Sequence, residues 1–141
     1  MEKTKLAPNR QLLDVLNQTL ELEYTLIIHY PRIAEAIRDH ETKQLTLSLG
    51  IASISHFDTV SKAITKLGGV PRWSFEPYPY GQDLKKIFQV QLEKENLALQ
   101  LHQQIAAMTS DDFFLRDKFS KLSSEEGSHI QTVEKILSRL G

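Results

Sequence analysis

The sequence predicts an all-α protein: an antiparallel four-helix bundle with one long crossover between its second and third helices. Three observations predict this class. Apolar residues recur at steps of three and four over most of the chain, glycine and proline are concentrated in one central segment, and no alternating strand pattern competes. The length of 141 residues suits one domain with a full core, which we expect to span 1–141.

The helix boundaries follow from breakers and capping residues. We predict the four helices at about 9–39, 41–67, 82–107 and 111–140. Gly68 ends the second helix. The segment 68–81 holds three of the six glycines and three of the five prolines, so it is not regular helix. Ser110, Asp111 and Asp112 form a good N-terminal signal for the fourth helix.

The lengths of the connections predict the topology. The first and third connections are only a few residues long, so each joins two helices into an antiparallel hairpin. The central linker reaches roughly 46 Å when extended, and a 27-residue helix is roughly 40 Å long. The linker can therefore run the length of the bundle, which permits the second and third helices to be parallel.

Composition excludes several classes of function. Seventeen basic and 18 acidic residues give a formal net charge of -1, so no general basic field attracts nucleic acid or anionic lipid. Cysteine is absent, which leaves carboxylate and imidazole as the ligands for any metal. No apolar run is long enough to span a bilayer, and the first residues lack the apolar core of a signal peptide. We expect a cytoplasmic protein that binds neither nucleic acid nor membrane.

Each predicted helix has an ionisable residue near the middle of its apolar stripe. These residues are Glu23, His56, Glu95, Glu126 and His129. Burying an unpartnered charge costs several kcal/mol, and a single case is more often a satisfied core residue than a ligand. Counted from the first turn, Glu23 and His56 both lie at a depth of roughly 25 Å. Glu95 and Glu126 lie at similar depths from the third connection, so these four residues can converge near mid-bundle.

Neighbouring acids serve as an internal comparison. Glu21, Glu93 and Glu125 lie off the stripes and are predicted to be surface residues. Glu126 and His129 form a Glu-x-x-His pair, whose spacing places both side chains on one helical face. That motif is weak alone, because it arises often by chance, but its position in the stripe of the fourth helix strengthens it.

These residues resemble the ferritin-like superfamily, and bacterioferritin and rubrerythrin in particular. The similarity covers most of the chain, through the segments 16–23 with Tyr30, His56 with 67–71, 81–95, and the pair Glu126 and His129. In that family two glutamates and two Glu-x-x-His pairs hold two irons, which react with oxygen or peroxide. The resemblance therefore implies a metal site whose ligands are Glu23, His56, Glu95, Glu126 and His129.

One departure from the family pattern concerns the metal site itself. Ser53 stands where the second-helix motif has a glutamate that bridges the two metals. Two divalent ions bring a charge of +4, against -3 from the remaining glutamates. The loss should most weaken the metal held by Glu23 and His56, while Glu95, Glu126 and His129 still suit Fe(II) or Mn(II). We expect one occupied position, a pair completed by hydroxide, water or an exogenous anion, or a metal-free relic.

Other departures concern haem and assembly. Ile54 occupies the position of the methionine that binds interface haem in bacterioferritins, so no haem is expected. The sequence shows no fifth helix after Gly141, which favours a homodimer over a 24-subunit cage. Without a rubredoxin-like cysteine motif, redox activity would require a separate electron donor.

Several further residues have two interpretations. Tyr30 is expected to pack in the core, with a hydrogen bond to the site or a redox-active phenol as the alternatives. His102 lies roughly 10 Å along its helix from Glu95, and we expect a buried polar residue or a proton path rather than a ligand. His29 and His40 lie off the stripes and are expected at the surface.

The aromatic residues of the central linker are Trp73, Phe75, Tyr78 and Tyr80. We expect them to cap the bundle or to form an oligomer contact, with a ligand pocket as the alternative.

For the whole chain we expect a ferritin-like metal-binding protein with oxidase, peroxidase or iron-handling activity. The alternative is a non-enzymatic, metal-free bundle used for binding or assembly.

Overall fold

The computed structural model describes residues 2–140, with side chains described from residue 10, and all of its regular secondary structure is helical. The four helices are α1 (Glu2–Glu35), α2 (His40–Lys66), α3 (Leu84–Met108) and α4 (Phe113–Leu140). The predicted fold class is confirmed. Within the described residues, no helix combines the length and the apolarity needed to cross a membrane.

Aspartate caps set three helix starts. Asp39, Asp83 and Asp112 each accept a hydrogen bond from the backbone N–H three residues later, at 2.9, 2.9 and 3.2 Å. The predicted signal at residues 110–112 does cap α4, but the helix begins at Phe113, two residues after the predicted 111, because Asp112 is the cap. The first helix was predicted to continue to 39, but it ends at Glu35 because Asp39 already caps α2.

The crossover makes α2 and α3 parallel, as the linker length predicted. One apolar cluster joins the start of α1 and α4 to the end of α2 and α3; its buried members include Leu16, Val60, Ile105 and Phe119. A second cluster joins the opposite ends, and includes Ile33, Leu49, Phe88 and Ile136. The hairpins α1–α2 and α3–α4 pack against each other through α1 with α3 and α2 with α4. The space between the two clusters lies at mid-bundle.

The crossover is fastened to α1 by polar side chains. Asn17 Oδ1 accepts a hydrogen bond from the backbone N–H of Arg72 at 2.9 Å, and Thr25 Oγ1 accepts one from that of Glu76 at 2.9 Å. His29 Nε2 donates to the carbonyl of Glu76 at 2.6 Å. The surface position predicted for His29 is therefore wrong: the crossover covers it, and its side chain is fully buried.

Two crossover aromatics lie on the side of the α1–α2 hairpin rather than over an end. Phe75 contacts Tyr24 with ring centroids 5.4 Å apart, and Trp73 contacts Phe57 at 5.1 Å. Trp73 remains 64% exposed. Tyr78 packs against the second apolar cluster, as expected of a capping residue. The predicted cap is thus correct for Tyr78, and wrong for the two residues that lie beside the middle of the bundle.

Candidate metal centre

A polar layer fills the space between the two apolar clusters. All five predicted ligands lie in it, and each is buried. Glu23 comes from α1, His56 from α2 and Glu95 from α3, whereas Glu126 and His129 come from α4. The predicted convergence of these side chains at mid-bundle is therefore what the structure shows.

The first group of donors gathers around Glu23 and His56. His56 Nδ1 lies 3.0 Å from Glu126 Oε1 and 3.7 Å from Glu23 Oε2. With one further imidazole, from His102, these residues offer four ligand atoms that all lie within 4.8 Å of one another. That spacing allows the four atoms to bind a single cation.

The second group gathers around His129. Its Nδ1 lies 3.5 Å from Glu126 Oε1 and 3.8 Å from Glu95 Oε1. The three ligand atoms again lie within 4.8 Å of one another. Glu126 belongs to both groups, so a single carboxylate joins two candidate metal positions.

His102 lies closer to the centre than the sequence suggested. Its Nε2 is 3.5 Å from Glu23 Oε1 and 3.9 Å from Glu126 Oε1. The prediction that it is buried is correct, but the expectation that distance excludes it as a ligand is wrong. The separation of roughly 10 Å from Glu95 applies along α3, whereas the ring faces α1 and α4.

Glu125 also contacts a residue of the site, which its position off the stripe did not predict. Its side chain is 42% exposed, as a surface residue should be, yet its Oε2 lies 3.2 Å from His56 Nε2. His56 therefore donates from Nδ1 to Glu126 and from Nε2 to Glu125. A carboxylate on the outer nitrogen fixes the orientation of a ligand imidazole.

Tyr30 supports the other end of the layer. The fully buried hydroxyl donates to Glu95 Oε2 at 2.7 Å. Of the interpretations considered from the sequence, the structure supports a core residue that also makes a hydrogen bond to the site. This bond holds one Glu95 oxygen and leaves Oε1 directed toward His129.

Ser53 makes no hydrogen bond to the cluster. Its buried hydroxyl donates to the carbonyl of Leu49 on its own helix at 3.0 Å. This is the ordinary bond of a serine inside a helix. The second helix thus contributes His56 but no carboxylate.

The charges of the layer are strongly coupled. Burial lowers the pKa of His56, but its contacts with Glu126 and Glu23 outweigh burial and raise the pKa to about 10. The pKa of His129 also rises to about 10, because Glu126 and Glu95 outweigh the effect of burial. Burial raises the pKa of Glu95 to about 8, against the opposing effect of His129. At neutral pH the imidazoles of His56 and His129 are therefore protonated, and Glu95 is largely protonated as well.

The glutamates nevertheless keep unpaired atoms. Burial opposes ionisation of Glu126, but His129 and His56 hold its pKa well below the usual range. Within the described part of the chain, both oxygens of Glu23, one of Glu95 and one of Glu126 are buried without a hydrogen-bond partner. Buried carboxylate oxygens without partners are costly, and a bound cation is one way to satisfy them. Oxygen and imidazole donors in this mixture fit Fe(II) or Mn(II).

The core of this four-helix bundle holds glutamates from facing helices and a Glu-x-x-His pair. This arrangement is typical of the class of bundles with a carboxylate-bridged metal site. The model of the ferritin-like domain family matches residues 13–141 of this sequence. The chain therefore belongs to the ferritin-like domain family. No curated protein sequence matches the chain significantly.

Solved structures from several bacteria share the fold. A ferritin-like, diiron-carboxylate protein from Bacillus anthracis str. Ames is 18% identical, with a TM-score of 0.85 over 92% of this chain and 97% of that one. The bacterioferritin of Rhodobacter capsulatus, solved with a metal-free dinuclear site and haem iron, is 23% identical, with a TM-score of 0.79 over 94% and 88%. A dodecameric thioferritin from Bacteroides fragilis is 20% identical, with a TM-score of 0.82 over 94% and 87%.

Proposed function

We propose that this protein binds iron or manganese, as one or two ions, in the polar layer at the middle of its bundle. The proposed ligands are Glu23, His56, Glu95, Glu126 and His129. The observation that carries the proposal is the set of buried glutamate oxygens without hydrogen-bond partners, which lie in groups of donors within 4.8 Å of one another. The family membership and the diiron-carboxylate protein of the same fold support it.

The surrounding residues prepare the site in defined ways. Glu126 joins the two positions, Tyr30 holds Glu95, and Glu125 orients His56. The apolar clusters on both sides restrict water, which strengthens electrostatic interactions inside. The carboxylates and imidazoles are therefore dehydrated and held in place before a metal binds.

We propose oxidase, peroxidase or iron-handling activity for the metal-loaded protein. Bound iron or manganese supplies redox chemistry toward O2 or peroxide. Small molecules would reach the layer beside Glu125 and His129, whose side chains are 42% and 11% exposed. The sequence contains no cysteine, so the electrons for turnover would come from a separate donor protein.

Metal analysis of protein purified without a metal-affinity tag tests the proposal. We expect one or two equivalents of Fe or Mn per chain, and a loss of most of that metal in Glu126→Gln, because Glu126 belongs to both groups. Glu134→Gln is the matched control, since Glu134 lies exposed on the same helix. Wild-type protein that stays metal-free after anaerobic incubation with Fe(II) and with Mn(II) contradicts the proposal.

A second function follows from the charge balance. His56 and His129, whose pKa values are raised to about 10, balance negative charge in the layer without a metal, and Glu95, whose pKa is raised to about 8, is largely protonated at neutral pH. Ser53 removes one of the carboxylates that a metal pair needs. This alternative is a metal-free bundle used for binding or assembly. It predicts that Fe(II) and Mn(II) leave the unfolding midpoint unchanged, whereas the metalloprotein is stabilised by ligation.

We also propose a homodimer as the assembled form. Ile51 and Ile54 are 67% and 53% exposed on α2, one helical turn apart, and the partly exposed Phe57 continues the line. Trp73 packs on Phe57 and extends this apolar surface. A contiguous exposed apolar surface is typical of an interaction site.

A further inference from the structure

The polar layer contains one further buried imidazole, that of His102. Its ring is fully buried, and neither ring nitrogen has a hydrogen-bond partner among the residues that the structure describes. A neutral imidazole carries one donor and one acceptor, and leaving either unpaired in a core is unfavourable. Packing alone therefore does not explain why this ring is buried with unpaired nitrogens.

The direction of the helices explains why His102 reaches the centre. In an α-helix each Cα–Cβ bond tilts toward the N-terminus of the helix. The end of α3 lies beside the start of α1 and α4, so His102 leans toward mid-bundle. Glu23 and Glu126 lean the opposite way, toward it, and their Oε1 atoms come to 3.5 and 3.9 Å from His102 Nε2.

His102 lies with the donors of the group around Glu23 and His56, which is the group that Ser53 is expected to weaken most. Ser53 and His56 both lie on α2, and the Ser53 hydroxyl donates to the carbonyl of Leu49 rather than to a residue of the layer. The rings of His56 and His102 lie 5.6 Å apart and nearly perpendicular, on the two sides of the Glu23 carboxylate. A fourth donor is thus present in the group that otherwise holds only Glu23, His56 and Glu126.

We propose that His102 is a metal ligand that replaces the missing second-helix carboxylate. The inference rests on the proposed metal-binding function and deepens it. The first position then consists of Glu23, His56, His102 and the shared Glu126, and the second of Glu95, His129 and the same Glu126. Because a neutral imidazole takes the place of an anion, the first position has more nitrogen donors and less negative charge per donor than a four-glutamate site.

The two positions should therefore differ in metal preference. Imidazole favours iron and later divalent metals, whereas carboxylate suits manganese better. We expect the first position to prefer Fe(II) over Mn(II) more strongly than the second does. His102 thus supplies a replacement ligand at the first position and also determines the preference of that position for Fe(II) over Mn(II).

Anaerobic titration of the protein with Fe(II) alone, monitored by calorimetry, tests the role of His102. We expect wild-type protein to bind two ions, and His102→Gln to lose one of them, with affinity at that position weakened at least tenfold. Glu95→Gln should weaken the other position, and the double variant should lose both. His40→Gln is the matched control, because His40 is exposed at the start of α2, as predicted. The Co(II)-loaded wild type and His102→Gln should also differ in their ligand-field spectra.

A second variant guards against a folding defect. His102→Ala leaves a space for free imidazole, and added imidazole should restore Fe(II) affinity at the weakened position if the ring is a ligand. Wild-type protein that binds Fe(II), together with a His102→Gln variant that binds as many ions equally tightly, overturns the ligand role and leaves the proposed function intact. Wild-type protein that binds no Fe(II) overturns both.

Discussion

Tyr30 combines two roles in one side chain. It is fully buried within the second apolar cluster, so it packs like any large core residue. Its hydroxyl also donates to a glutamate of the polar layer. Burial raises its pKa well above the usual range, with Glu95 adding to the effect, so the phenol stays protonated and able to donate. The sequence placed Tyr30 on the correct face but did not show which partner its hydroxyl meets.

Tyr30→Phe tests the worth of that hydrogen bond. The substitution leaves a second oxygen of the buried Glu95 unpaired, so we expect metal-free stability to fall by about 1–3 kcal/mol. Urea unfolding followed by circular dichroism measures the change. Tyr80→Phe is the control, because Tyr80 is 73% exposed, and its effect should stay within about 0.5 kcal/mol. Equal stability of Tyr30→Phe and wild type contradicts the assignment.

The raised pKa values of His56 and His129 predict that metal binding releases protons. Each value is raised to about 10, so both rings are protonated at neutral pH without metal. Metal binds only the unprotonated nitrogen, and each ring must lose a proton on binding. Affinity should therefore rise with pH up to the folded pKa, about tenfold per pH unit for each proton released.

Calorimetry of Fe(II) binding in two buffers with different ionisation enthalpies measures that release directly. We expect at least one proton released per ion bound, with affinity greater at higher pH. Identical binding enthalpies in the two buffers contradict the prediction, because they show that no proton leaves the protein.

His102 and Glu125 make contacts with other helices that the sequence alone does not predict. Both positions were visible in the sequence, but the stripe on one helix does not reveal which atoms of the other helices it faces. The tilt of side chains toward each helix N-terminus brings His102 to Glu23. A long side chain lets Glu125 stay at the surface and still contact His56. The five stripe residues were predictable because burial of charge is visible in the pattern itself.

Helix α2 approaches α1 closely at a glycine. A Cβ built on Gly50 would lie 3.2 Å from the Cβ of Tyr30 and 3.6 Å from Cδ of Pro31. Tyr30 cannot move aside freely, because it is buried and bonded to Glu95. The absence of a side chain at Gly50 therefore sets the spacing of the α1–α2 hairpin next to the polar layer.

Gly50→Ala and Gly127→Ala form a matched pair at this scale. Alanine normally stabilises a helix interior by about 0.5–1 kcal/mol relative to glycine. At Gly127 in α4 an added Cβ meets nothing within 4 Å, so we expect that gain. At Gly50 overpacking costs about 1–3 kcal/mol and should produce a net loss. Chemical denaturation measures both, and a stabilised Gly50→Ala contradicts the packing argument.

Boundaries of elements were harder to predict than their existence. All four helices were predicted, because apolar periodicity persists over more than 20 residues in each. The periodic pattern predicts the end of α1 four residues too late, because it does not reveal that Asp39 caps α2. A cap depends on one hydrogen bond, and the periodic pattern runs past it without interruption.

At the scale of the whole molecule, the topology was predictable from chain reach. A linker able to span the bundle permitted parallel α2 and α3, and the composition of the two apolar clusters confirms that arrangement. The path of the linker was not predictable. Its course along α1 depends on Asn17, Thr25 and His29, whose side chains hold its backbone and which look like ordinary surface residues in the sequence.

Self-association is the prediction that concerns the molecule as a whole. Ile54 is central to the exposed apolar surface of α2, between Ile51 and Phe57. A charge introduced at the centre of a buried interface typically costs at least about 2 kcal/mol, or roughly a thirtyfold weaker dimer. Sedimentation analysis should show a dimer for wild type and a larger monomer fraction for Ile54→Asp. Leu97→Asp on α3 is the control, because Leu97 is 40% exposed on another helix. A monomeric wild type at micromolar concentration contradicts the homodimer, and it leaves the metal site untouched because every proposed ligand comes from one chain.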